Sequence, residues 1–123
     1  MPFATATLNS LLDAFFNAAS YSNANVWLKL HTGDPGAAGT SNPAGETTRQ
    51  EATFGGASSA ATANDNTVIW TNVSTAETYS WLSLWTASVA GTFTGRVQLV
   101  ASKTVGVGDT FQIPIGDFDA TAA

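Results

Sequence analysis

Apolar residues near the amino end recur at helical spacing, and beyond them the period drops to two. Leu8, Leu11, Leu12, Phe15, Phe16 and Ala19 fall at i, i+3, i+4, i+7, i+8 and i+11, which predicts one amphipathic helix over residues 8–19 with Thr5 or Thr7 as its cap. The polar run Tyr21-Ser22-Asn23-Ala24-Asn25 ends it. Strands are predicted at 26–31, 51–54, 67–71, 78–86, 92–100 and 110–113, with a short last one at 117–121. Clusters of Gly, Asn, Asp and Pro separate them, which argues for a sandwich or barrel rather than alternating strand and helix units. The predicted fold is mainly β: an antiparallel β-sandwich of jelly-roll type with one amino-terminal helix, a single domain over residues 1–123. Residues 55–63, low in complexity, read as a loop or a weakly patterned edge strand.

Strand 78–86 wants cover on both sides. Tyr79, Trp81, Ser83 and Trp85 alternate with Leu82 and Leu84, so neither face suits water. The expectation is that one face fills the sandwich core and the amino-terminal helix lies over the other. Two other uses of Tyr79, Trp81 and Trp85 remain open, a subunit interface and a platform on which sugar rings stack. Strand 92–100 divides more cleanly, with Phe93, Val97 and Leu99 on one side and Thr94, Arg96 and Gln98 on the other. Pro114 lacks an N–H for a ladder and predicts an edge or a strand end.

Composition narrows the classes. With 44% apolar residues, 4 Trp and 7 Phe, the 123-residue chain can fill one core, and without cysteine it does so without disulfides or thiolate metal sites. Charged residues make up 11%, against about 25% in an ordinary domain, so the surface is largely Thr, Ser, Asn, Gly and Ala. Such a surface suits a subunit packed among many copies, although a coding bias toward these residues gives the same composition. Net charge is −5, and Lys29, Arg49, Arg96 and Lys103 are scattered, so direct nucleic-acid binding is not expected. No run of about 18 apolar residues occurs, and the amino end lacks the pattern of a signal peptide, so no membrane insertion is expected.

His31 is the only histidine. A Ser–His–Asp set could be drawn from His31, Asp34 and one of several serines, but no nucleophile elbow accompanies it, and the chain reads as non-enzymatic. Asp34, before Pro35, is better suited to an Asx-type turn. Asp109, Asp117 and Asp119 do not follow a calcium-loop spacing and read as solvated turn carboxylates, and no cofactor is expected. The long polar loop at 33–48 has too few apolar residues to order itself at about 1–2 kcal/mol per residue, so a partner is expected to order it. Its candidate contact residues are His31, Thr32, Asp34, Asn42, Glu46 and Arg49.

The order of these features carries a resemblance. A helix, a strand ending in Leu30-His31-Thr32-Gly33-Asp34-Pro35-Gly36, a polar loop, Arg49-Gln50 opening the next strand, and Gly108-Asp109-Thr110-Phe111-Gln112-Ile113-Pro114 near the carboxy end together resemble small tail-associated proteins of tailed bacteriophages. The resemblance implies a structural virion protein made in the host cytoplasm, a minor tail or tail-tip component. Its expected partners are other copies of itself, in threefold or sixfold symmetry, and other phage tail or capsid proteins. No receptor-binding extension is expected after Ala123, which would depart from a fibre role. The alternatives are a capsid decoration protein and a carbohydrate-binding module that attaches to the host surface.

Overall fold

The computed structural model describes residues 3–18, 25–59 and 61–121. Among these residues one helix, α1 (Thr5–Phe16), precedes eight strands: β1 (Val26–His31), β2 (Gln50–Ala52), β3 (Ala61–Ala63), β4 (Val68–Trp70), β5 (Glu77–Trp85), β6 (Phe93–Val105), β7 (Phe111–Ile113) and β8 (Asp119–Thr121). All pairings are antiparallel. The main sheet has the order β2-β1-β5-β6, while β3-β8 and β4-β7 form two-stranded sheets. The arrangement is sandwich-like, as the alternation predicts. Its second layer consists of separate pairs among the described residues, where a jelly roll has two continuous sheets. The weak segment at 55–63 does supply a strand, β3, which pairs with β8.

The alternation of β1 and β5 sets the two faces of the main sheet. Leu28 pairs with Leu84 and Leu30 with Leu82, so the four leucines share one face, and each is at most 5% exposed. Trp70, Val68, Phe111, Ile113 and Phe118 from the second layer complete the core beneath them. On the opposite, outer face stand Trp27 and Trp85 as a cross-strand pair, His31 and Trp81 as another, and Ser83 beside Arg96.

Two expectations are corrected here. Tyr79 does not share the outer face with Trp81 and Trp85. The β5–β6 register slips between them, Tyr79 facing Lys103 and Trp81 facing Gln98, so that residues 99–102 stand opposite Ser80 alone. Tyr79 turns into the core and packs edge-on against Phe111, ring centroids 5.3 Å apart, with no side-chain exposure.

The second correction concerns α1. It does not cover the aromatic face. Ala4 donates its N–H to the Thr94 carbonyl at 2.9 Å and Phe3 bridges Gly95, so the amino segment is tied to β6, the sheet's edge strand. From there α1 buries only Thr7 and leaves its apolar stripe in solvent: Leu12 is 54% exposed, Phe15 82% and Phe16 72%. Ala4 occupies the cap position with no side-chain bond, so neither Thr5 nor Thr7 caps the helix. The predicted end at Ala19 and the run 21–24 lie outside the described residues.

Core and helix should therefore respond differently to truncation. Leu82→Ala is expected to lose about 2–5 kcal/mol in urea unfolding, whereas Phe15→Ala in the monomer should change stability by less than about 0.5 kcal/mol.

Candidate functional site

The outer face of the main sheet is covered by the loop that follows β1. The turn residues of this segment explain its path. Asp34 accepts the Gly36 N–H at 2.8 Å in the Asx-type turn that Pro35 favours, and Gly36 takes a φ of 78°. The chain then doubles back. Ser41 N–H bonds the Pro35 carbonyl, Thr32 N–H the Asn42 carbonyl, and Ala44 N–H the Leu30 carbonyl, so the loop runs beside its own strand. Gly39 lies so close to Phe93 that a Cβ there would overlap the ring, which explains a residue without a side chain at the closest approach.

Side chains from three strands hold the loop down. The Trp85 indole N–H donates to Ser83 Oγ at 2.7 Å, and Ser83 Oγ lies 2.7 Å from His31 Nε2. His31 Nδ1 lies 2.9 Å from the Ser41 carbonyl. The carbonyl can only accept, so Nδ1 carries a hydrogen; burial disfavours the charged ring, and in the neutral imidazole Nε2 accepts from Ser83. The chain of donors runs in one direction, from Trp85 to the loop backbone.

Charged groups fasten the rest. Arg96 pairs with Asp34 at 2.9 Å. The Glu77 carboxylate accepts the N–H groups of Gly45 and Glu46, and Glu46 in turn accepts those of Thr48 and Ser74. Arg49 lies 4.1 Å over the Trp85 ring and donates to the Ala87 and Ala90 carbonyls of the β5–β6 connection. Trp70 donates to the Thr48 carbonyl from the core side at 2.8 Å.

The loop therefore has its own fastenings, contrary to the expectation that a partner orders it. They are polar rather than apolar, which is why a count of buriable side chains misses them. Of the candidate contact residues, His31 is fully buried, Arg49 and Glu46 are half-buried, and Thr32, Asp34 and Asn42 remain at the surface. Trp81 and Trp85 are half-buried on the covered face.

Ser83 and His31 stand at hydrogen-bonding distance, as a nucleophile and its base would, but the chemistry is closed. Both residues are fully buried, the imidazole is oriented by a backbone carbonyl instead of a carboxylate, and the hydroxyl already accepts from Trp85. Among the described residues no group of three or more His, Cys, Asp and Glu is placed to hold a metal ion. Asp109 uses its carboxylate to accept the Gly106 N–H in a turn, and the side chain of Asp119 lies outside the described residues. No described helix is long and apolar enough to cross a membrane.

The comparison with protein families gives the class directly: residues 2–121 match the family described as podophage GP4 fiber I protein gp80, and the chain belongs to that family. It is a structural, tail-associated phage protein. No curated protein matches the chain in a sequence search. The departure from a fibre role inferred at Ala123 is thereby corrected, since the matched family is itself one of fiber proteins and its match runs to residue 121.

Two measurements address the loop. Burial holds the His31 pKa below its ordinary 6.5, the charge of Lys29 adds to this, and the carbonyls of Ser41 and Asn42 offset it in part. The unfolded chain thus binds the extra proton, so this contribution to stability is fully present above pH 6.5 and is lost as pH falls below it. Urea unfolding between about pH 5 and 6.5 should show a decline of at most about 1.4 kcal/mol per pH unit that is absent in His31→Gln. In amide hydrogen exchange, Gly45 and Glu46 should be protected in the wild type and exchange at least about tenfold faster in Glu77→Ala.

Proposed function

We propose that this protein is a non-enzymatic minor tail or tail-tip component of a tailed-phage particle, assembled as a symmetric oligomer with threefold or sixfold symmetry about the tail. The observation that carries the reading is the family match over residues 2–121. The geometry agrees with it. The outer-face residues that could serve a substrate are engaged in holding the loop, while the largest exposed apolar side chains sit on a helix that packs little against its own domain. Closed homo-oligomers are the usual outcome for such subunits, and repeated copies convert weak contacts into firm attachment. Thr32, Asp34 and Asn42, at the surface of the motif loop, are proposed as contacts to neighbouring tail proteins.

The sugar-binding alternative needs a free aromatic face. Trp85 has Arg49 stacked on its ring and Phe93 at 5.5 Å, which supports the structural reading over a carbohydrate platform. Capsid decoration shares the same surface chemistry and separates from the tail reading by location.

Mass spectrometry of purified particles, with labelled antibody imaged by electron microscopy, tests both parts. The expected result is a stoichiometric virion component with label at the tail. Label over the capsid shell would transfer the protein to the decoration class, and absence from purified particles would refute the virion reading.

A further inference from the structure

Two features lack a partner among the described residues, and they are complementary. The first is the apolar stripe of α1. Leu8, Leu11, Leu12, Phe15 and Phe16 are between 38% and 82% exposed, and Asp13, the helix's one charged residue, points away from the stripe. Phe15 and Phe16 form a compact knob, with ring centroids 4.8 Å apart in an edge-to-face arrangement. The second is a groove of about 280 Å³ where β6 and β7 diverge and the core opens. Leu82, Phe111, Ile113 and Phe118 floor it, and Val97 and Leu99 wall it.

We infer that the Phe15–Phe16 knob of one copy docks into the β6/β7 groove of the next, so that copies join head to tail. The size fits: an apolar cavity of about 150 Å³ holds one benzene ring, and the groove has nearly twice that volume. The area suffices when the whole stripe is engaged: scaled to side-chain surfaces of about 150–250 Å², the two rings expose roughly 300 Å² and the three leucines about 250 Å² more, so the rings enter the groove while the leucines lie on the surface around it, and the pair then reaches the lower end of what a specific contact requires. Charge favours the same occupant, because Asp117 at the groove rim disfavours an acidic guest and the stripe carries no charge. The chain's own knob does not fill its groove, since both rings stand in solvent while Phe3 and Ala4 hold the helix base at Thr94 and Gly95. Knob and groove are different surfaces, so the contact is heterologous and closes into a ring when its rotation divides the circle. The inference rests on the proposed oligomer and specifies its interface.

Sedimentation velocity and light scattering on purified full-length protein test it with two variants at exposed positions. Phe15→Ala/Phe16→Ala removes the knob, and Val100→Glu, at a fully exposed residue on the groove wall, charges the groove while leaving the core untouched. The wild type is expected to form closed oligomers, and each variant should lose at least about a hundredfold in self-affinity. A one-to-one mixture of the two variants should recover a complex that stops at two chains, because only one intact knob and one intact groove remain. Assembly of Val100→Glu like the wild type would show that the helix meets another helix and would overturn the groove as its site. Failure of the mixture to combine, or a wild type that stays monomeric at high concentration, would overturn the inference also. The virion assignment is read separately from purified particles, so either claim can fail without the other.

Discussion

The pairing of β1 with β5 places His31 at the strand end, beside Ser83, and the rest of the outer face depends on that placement. A buried imidazole next to a buried hydroxyl is stable only when each donor finds an acceptor. The line from the Trp85 indole through Ser83 and His31 to the Ser41 carbonyl satisfies all of them, and its last member belongs to the loop. Folding the loop onto the sheet is therefore the condition for burying the polar centre of the sheet. The carboxylates of Glu46 and Glu77 extend the same principle to a backbone with few apolar side chains to bury.

The position of α1 follows from this cover. Gly39 against Phe93, Asp34 on Arg96 and Arg49 on Trp85 occupy the face on which an amphipathic helix would otherwise lie. The helix is instead tied by its amino end to the edge strand, with its leucines and phenylalanines outward. An apolar stripe of this size on an isolated monomer is an aggregation hazard, whereas on a subunit it is an interface. The long bulge of β6 at residues 99–102 disrupts an edge that would otherwise offer an uninterrupted ladder to foreign strands. The proposed assembly, through side chains rather than strand addition, accords with both features.

The sequence made much of the architecture legible, because period-two alternation in 26–31 and 81–85 shows which residues share a face. The helix was legible for the same reason. Its destination was not, since an apolar stripe states that something must cover it and not whether the cover lies in the same chain. Tyr79 escaped because one irregularity in β6 shifts the register by several residues, and no local pattern announces a bulge of that length. In the motif loop, the Asp-Pro turn was readable from local chemistry, while the roles of Arg96, Glu77 and Ser83 were not. Each acts across a distance in sequence that only the folded sheet closes, as in the pair Asp34 and Arg96. The Ser83–His31 pair shows the converse: two residue types that suggest catalysis serve here to seat a loop.

The central claim is that the loop, and not the helix, shields the aromatic face. The most direct measurement is hydrogen exchange at the Trp85 indole N–H, followed by NMR in the full-length chain and in a variant whose stripe is made polar by Leu12→Ser, Phe15→Ser and Phe16→Ser. The account expects slow exchange of equal rate in both, because Ser83 and Arg49 guard that indole and α1 does not touch it. Fast exchange in the variant, with the fold otherwise intact by its amide spectrum, would place the helix over the sheet and contradict the account.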